Sequence, residues 1–470
     1  MKITLSPMKT APRSTTDDDI EAGRSGLMLI ADNADALAAR IHATRAATGS
    51  LDLMYYIWRD DQCGRLLARE VVVAADRGVK VRMLIDDINP QSSDAHYLSL
   101  DSHPNIELKL FNPSGLRNGS LFRWVEMVLR VFAMTRRMHA KAWIADRRIA
   151  IVGGRNVGNE YFGASTTNFR DLDVLMMGRS VDDACAAFDL FWNHSASRPV
   201  RELNPGATAT PPALALLADN DDVQALADGA QSLDEFVAAR AGLSWCENAR
   251  LLSDPPDKVK GKAGRSWMMR ELMPEISGAL QRLEIVSPYF IPGRKGTTTL
   301  TRIVERGATV VILTNSLATT DVAAVHGAYA NYRKKLLRAG VELYEFQPSG
   351  RQKKMSVFGS KGASLHTKSF IVDDRRGFIG SMNFDPRSVS LNAEMGVLFE
   401  SPSLVRQLQE HLAAERDPEI SYRLSLRHNL IHWHRAEGER IVRTGREPKA
   451  SIGRRLLARI VRWLPIESQL

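Results

Sequence analysis

Residues 137–156 read RMHAKAWIADRRIAIVGGRN, and residues 364–383 read SLHTKSFIVDDRRGFIGSMN. Each looks like two short apolar strands joined by a polar turn. Each sets a histidine and a lysine two residues apart, His139 with Lys141 and His366 with Lys368. A strand aims both at one face. A packed core gains nothing from a lysine beside a histidine, so the pair points to a shared partner. Asp146 and Asp373 follow five residues after the lysines, on the opposite parity. That position suits an anchor for the hairpin more than a group facing the same partner.

Both stretches spell H-x-K-x4-D. A chain of 470 residues with this composition should show only about 0.03 chance matches. The copies share more. Asn156 and Asn383 each stand 17 residues after their histidine, and Asp171 and Glu394 each stand three before a valine. Gly78 precedes His139 by 61 residues and Gly307 precedes His366 by 59. The repeat is therefore long, and its length argues for duplication.

Outward from the motifs, helical and strand patterns alternate. ADALAARIHATRAA (34–47) reads as a helix, LDLMYYIW (51–58) as a strand, RLLAREVVVAADRG (65–78) as a glycine-ended helix and VKVRMLID (79–86) as a strand. RLEIVSPYFIP (282–292) and LTRIVERGATVVILTN (300–315) repeat that plan. The expected fold is α/β: two tandem, pseudo-twofold α/β/α sandwich domains closing over one bilobal site. The expected boundaries are a flexible N-terminus at 1–26, a first domain at 27–200, a connecting segment at 201–264, a second domain at 265–418 and a basic tail at 419–470.

The residue types define a chemistry. One imidazole can attack phosphorus and hold the phosphoryl group covalently, while the other protonates the leaving oxygen and later deprotonates the incoming alcohol. Lys141, Lys368, Asn156 and Asn383 can donate to the phosphoryl oxygens as charge builds. Asp171 and Glu394 are candidates to orient the imidazoles through a ring N–H, with Asp173 competing with Asp171. No metal-ligand spacing is visible, and neither metal nor cofactor is expected.

The net charge of +9 makes an anionic partner plausible. The three cysteines, Cys63, Cys185 and Cys246, are far apart, which suits a reducing compartment. No signal-peptide core and no run long enough to span a bilayer is read, so lipid would be met from the membrane surface.

The paired motifs resemble the phospholipase D superfamily. A closer resemblance is to the bacterial C-type cardiolipin synthases, carried by LDLMYYIWRDDQCGRLL, GGRNVGNEYFGA, LDVLMMG, LLSDPPDKVKGKA, GSMNFDPRS, LNAEMG and WLPIESQL. The stretch 313–345, LTNSLATTDVAAVHGAYANYRKKLLRAGVELYE, is the most discriminating part. The resemblance implies metal-free transfer of a phosphatidyl group through a phosphohistidine, at the inner face of the cytoplasmic membrane. Phosphatidylglycerol would be one substrate, with phosphatidylethanolamine a candidate donor. Superfamily members whose first motif supplies the nucleophile favour His139. Hydrolysis by a phospholipase D is the alternative, and a nucleic-acid phosphodiesterase a weaker one, since no nucleic-acid-binding motif is present. An accessory protein stays open.

Three further features suit a lipid. SIGRRLLARIVRWL (451–464) puts Ile452, Leu456, Leu457, Ile460, Val461, Trp463 and Leu464 on one half of a helical wheel, and Arg454, Arg455, Arg459 and Arg462 on the other. Those arginines and Trp463 are expected membrane contacts. Residues 421–470 hold 11 Lys/Arg against 4 Asp/Glu, a surplus of seven. LFRWVEMVLRVFAMTRR (121–137) reads equally as a buried helix or an acyl-chain entrance. His326, Tyr329 and Arg333 are candidate headgroup contacts, with a structural histidine and a solvated basic face as the ordinary alternatives.

Overall fold

The computed structural model describes residues 15–88, 94–113, 136–206, 232–240, 242–261, 267–348 and 364–463. The expected entrance helix at 121–137 falls almost wholly outside these residues.

Local chemistry sets the elements. Asp32 accepts the N–H groups of Ala34 and Asp35 and starts helix Asn33–Ala46; Asp61 caps helix Gln62–Asp76 through the Gly64 N–H. That second helix ends at Gly78, whose φ of +100° turns the chain into strand Lys80–Asp86. The second half does the same: helix Gly293–Glu305, then Gly307 at φ +97°, then strand Thr309–Asn315.

Two large sheets result. In the first, Ser50–Tyr55, Lys80–Asp86 and Ile106–Phe111 run parallel. The hairpin Ala142–Ala145/Ile149–Gly153 adds antiparallel beside Ser50–Tyr55, followed by Asp173–Gly178 and Ser25–Ile30. In the second, Arg282–Val286, Thr309–Asn315 and Glu342–Phe346 run parallel, and Ser369–Val372/Arg376–Gly380 and Met395–Glu400 follow antiparallel. The topology is duplicated, as the repeat implies.

One apolar layer joins the halves. It holds Ala142, Ile144, Val152 and Val174 from the first sheet and Val286, Ile371, Ile379 and Val397 from the second. Each fully buried branched side chain contributes about 1.5–3 kcal/mol. Helix Ser180–Trp192 of the first half packs on strand Ala249–Ser253 of the second sheet, and helix Pro402–Glu415 packs on Ser25–Ile30 of the first. The exchange locks the two sheets face to face.

Three segments differ from expectation. Within 1–26, residues Thr15–Glu21 are helical, and the first strand begins at Ser25, paired with Gly178 and Cys246. The connecting segment carries two strands, Ser244–Cys246 and Ala249–Ser253, which edge the first and second sheets respectively. The tail is also more than a helix. Ser421–Arg427, Leu430–Glu437 and Arg440–Thr444 extend the second sheet, because Ser421–Arg423 pairs with the edge strand Glu342–Phe346.

Candidate active site

Each motif begins as a strand lead-in and ends at a tight turn. Asp146 and Arg147 have φ of +51° and +54°, and Asp373 and Asp374 have +51° and +52°. Each pair opens a three-residue hairpin turn, Asp146–Arg148 or Asp373–Arg375, where aspartate tolerates the left-handed region. The Asp146 carboxylate accepts the N–H groups of Thr48, Gly49 and Ser50 at 2.7–2.9 Å. Asp373 accepts those of Leu280, Gln281 and Arg282 at 2.7–3.0 Å. These bonds outweigh burial and hold both carboxyls below the usual range. Both aspartates thus tie the hairpin to the loop before the neighbouring strand.

The histidines are positioned by pairing across the halves. Met138 bridges Ala393 in parallel, and the His139 N–H donates to the Ala393 carbonyl. Ser364–Leu365 pairs in parallel with Phe169–Arg170, and the His366 N–H donates to the Arg170 carbonyl. One residue further along each pair, the carboxylate meets the histidine. Glu394 Oε2 lies 2.7 Å from His139 Nδ1, and Asp171 Oδ2 lies 2.5 Å from His366 Nδ1. The orienting groups are crossed: each half holds the other's imidazole. Asp173 is occupied elsewhere, with Arg40 and Arg155.

The carboxylates differ in their support. Glu394 also accepts from Ser381 Oγ at 2.6 Å and Ser388 Oγ at 2.9 Å. Its N–H donates to Asp254, which pairs with Lys258 at 2.7 Å. Asp171 has the Leu172 N–H instead. Gly154 stands where Ser381 stands in the repeat, and a Cβ there would collide with the Asp171 carboxylate.

Both lysines turn back on their own histidine. Lys141 Nζ donates to the His139 carbonyl at 2.7 Å. Lys368 Nζ meets the His366 carbonyl, lies 2.6 Å from the ring and 3.7 Å from Asp171. The His366 Nδ1 proton goes to Asp171, which can only accept.

The charges show one site. Burial pushes His139 down to about 4, with Lys141 and Lys368 adding to it, against the pull of Glu394. Burial, then Lys368, lowers His366, and Lys141 contributes from the other half. Burial also brings Lys141 to about 7 and Lys368 to about 8. Asp171, despite its burial, is held at about 2 by Lys368 and His366. Tyr56 sits edge-on to His139 at 4.9 Å, and Phe169 packs on His366 at 4.9 Å. The two lysines balance the two orienting carboxylates, and a phosphodiester anion bound beside the lysines would favour their charged forms against the burial that lowers them.

The asparagines are partly engaged. Asn156 donates to Tyr161 Oη at 2.9 Å and accepts the Ile57 N–H at 3.2 Å. Asn383 is buried, and its Oδ1 has no partner.

Sequence reasoning missed two holders of the histidine segments. Asp86 ends strand Lys80–Asp86 and accepts the Met138 N–H at 2.8 Å. Asn315 ends strand Thr309–Asn315, accepts the Leu365 N–H at 3.2 Å and donates to the Leu365 carbonyl at 2.8 Å. Each grips the residue before a histidine. The signal was present: they stand 53 and 51 residues before His139 and His366, at matching strand ends.

Four expected contacts are placed otherwise. His326 is buried, with Nδ1 3.2 Å from the Asn315 carbonyl and Nε2 3.4 Å from Glu447. Arg333 pairs with Glu345 at 3.0 Å and with Glu447. Tyr329 is packed in the second core. The three lie on helix Ala323–Arg338, over which the tail folds back and supplies Glu447 to His326 and Arg333. His326, Glu345 and Glu447 have ligand atoms within 4.8 Å of one another, yet Arg333 already supplies the cation between the two carboxylates. Arg454, expected at a membrane, is 1% exposed and donates to the carbonyls of Leu317 and Thr320.

Paired histidines and lysines with crossed carboxylates, on a duplicated α/β scaffold, define a phospholipase D-type centre. The family described as "Cardiolipin synthase, PLD-like domain" matches residues 41–179 and 272–416, and the chain belongs to it as an enzyme of the phospholipase D superfamily. The chain is similar to "Cardiolipin synthase C" of Escherichia coli K12, at 38% identity over 95% of this chain and 96% of that one. It is 31% identical to an uncharacterized protein of Helicobacter pylori strain 26695, over 98% and 94% of the two chains. Among solved structures, phosphatidylserine synthase of Haemophilus influenzae Rd KW20 shares the fold, with a TM-score of 0.59 at 15% identity, covering 88% of this chain and 92% of that one.

Proposed function

We propose that this enzyme is a phosphatidyltransferase of the cardiolipin synthase type, joining phosphatidylglycerol to a phosphatidyl group from a second phospholipid, with phosphatidylethanolamine a candidate donor. The observation that carries the reading is the pair of crossed contacts, His139 with Glu394 and His366 with Asp171. Full-length similarity to an enzyme named cardiolipin synthase C supports the choice of substrate class.

In this scheme Glu394 keeps the Nδ1 proton of His139, leaving Nε2 with its lone pair for phosphorus. Burial keeps that ring neutral. The N–P bond forms as the P–O bond to the leaving headgroup breaks, and His366 gives its proton to the departing oxygen. The bound phosphodiester anion raises the proton affinity of His366 in a site already holding two lysines. His366 then takes the proton of the incoming glycerol hydroxyl, whose oxygen displaces His139 from phosphorus. Lys141 and Lys368 offset the charge on the non-bridging oxygens throughout.

Among the described residues no helix is long and apolar enough to cross a membrane. The proposed location is peripheral, on the cytoplasmic face of the inner membrane, where the exposed apolar residues of the tail meet lipid. Incubation with labelled phosphatidylglycerol, with and without phosphatidylethanolamine, tests the assignment. Cardiolipin is the expected product. Phosphatidic acid alone would instead mean that water resolves the intermediate.

A further inference from the structure

A cavity of about 650 Å³ lies between the C-terminal helix Ile452–Val461 and the second half. Arg333, Arg446, Arg455, Arg459 and Arg462 line it, and Glu447 is the one carboxylate among the described lining residues. Glu447 is committed to Arg333 and His326. Among the described residues Arg446 and Arg459 have no ion-pair partner. The buried Nε of Arg455 has no hydrogen-bond partner. Burial, and after it the charges of Arg333 and Arg459, work against the charge of Arg462. Several guanidinium groups held together in this way favour a bound anion, and their planar forks suit a phosphate.

The rest of the lining includes an apolar part, from Leu317, Leu430, Ile452 and Leu456. Three of these reach solvent: Leu430 is 62% exposed, Ile452 84% and Leu456 57%. Ile460 and Trp463 continue the exposed stripe. Six of the ten large apolar side chains exposed among the described residues fall within 430–463. An anion-binding pocket for a small soluble ligand has no use for such a rim, whereas a phosphate carrying acyl chains does.

We propose that this cavity seats the phosphate of an anionic membrane phospholipid, at a site separate from the two histidines, with the exposed stripe of the helix lying in the surrounding lipid. The site anchors and orients the enzyme and takes no part in bond making. It stands independently of the transferase reading, because its readout is binding.

The test uses the full chain carrying His366→Ala, to prevent lipid turnover, and vesicles of phosphatidylcholine with or without phosphatidylglycerol. Arg446→Gln with Arg459→Gln should weaken binding to the anionic vesicles about tenfold. Arg427→Gln with Arg440→Gln removes the same charge from exposed positions outside the cavity lining, and should cost less than about twofold. Inorganic phosphate should leave wild-type binding within about twofold. Equal losses from the two pairs would reduce the cavity to diffuse surface charge and overturn the proposal. Displacement by inorganic phosphate alone would overturn it in favour of a free-anion site. Where the first pair lowers the melting temperature, Arg446→Gln alone, on an exposed side chain, serves in its place.

Discussion

Glu394 Oε2 lies 2.7 Å from Nδ1 of His139, a residue 255 positions earlier in the other half of the molecule. Each half is consequently incomplete: its histidine takes its tautomer and aim from its neighbour. Glu394→Gln should disable the His139 step, and Asp171→Asn the His366 step, each lowering kcat by about 10²–10⁴ with little change in melting temperature. Steady-state turnover of labelled phospholipid measures this. A variant that keeps more than half its activity would mean that the crossed pair merely fills space.

Ser381 and Gly154 occupy equivalent positions but serve their carboxylates differently. Ser381→Ala removes one of two hydroxyl donors to buried Glu394. Oε2 keeps the His139 N–H but loses its second donor, a hydrogen bond to a charged group worth about 1.5–3 kcal/mol. A ten- to hundredfold loss of kcat/KM follows if the loss falls on the His139–Glu394 geometry. Gly154→Ser should be worse, because its Cβ meets the Asp171 carboxylate directly. If Gly154→Ser is as active as wild type, the tight fit around Asp171 is wrong.

The lysines set an alkaline limit. Lys141 lies at about 7 and Lys368 at about 8, lowered chiefly by burial. Raising the pH removes the charge that offsets the phosphoryl oxygens, so kcat/KM should fall through that range. A bound phosphodiester anion favours both ammonium forms, so the limb in kcat should lie at higher pH than the limb in kcat/KM. The pH profile of each parameter on a soluble diester checks the sign. A limb that moves downward on binding contradicts it.

Asp146 and Asp373 should matter to stability. Their carboxyls are held low in the folded state by backbone N–H bonds. A depressed carboxyl contributes stability above its unfolded pKa and loses it as pH falls through the folded value. Asp146→Ala removes these acceptors and places alanine at φ +51°, costing about 2 kcal/mol. Asp146→Asn keeps an acceptor and a residue tolerant of that φ, and should cost under about 1 kcal/mol. Denaturant melts at pH 7 and pH 3 should show the wild-type advantage over Asp146→Ala shrinking in acid.

Much of the architecture is legible in local pattern. The helices and strands between 34 and 86 follow from apolar spacing and from a glycine that must take positive φ, and the same holds for 300–315. The repeat foretells two alike sheets. It does not say which half's carboxylate faces which imidazole, because that depends on the parallel bridges Met138 to Ala393 and Leu365 to Arg170, between segments hundreds of residues apart. Asp86 and Asn315 are hidden for another reason: different residue types at matching strand ends do not read as a motif. The tail shows the limit of a helical wheel. It sorts Ile452 and Leu456 from Arg454, but only docking against helix Ala323–Arg338 decides that Arg454 turns inward to Leu317 and Thr320.

The assignment of His139 as nucleophile has a direct chemical test. A diester with a nitrophenol leaving group needs no proton on departure, so loss of the acid should spare the first step. In the His366→Ala variant such a substrate should phosphorylate His139 in one rapid turnover. It should then stall, because no base remains to activate water or alcohol. The expected signs are a burst of nitrophenol equal to the enzyme present and a protein mass raised by the phosphoryl fragment, mapped to the peptide containing His139. His139→Ala should give neither burst nor adduct. An adduct on His366 in the His139→Ala variant would exchange the two roles.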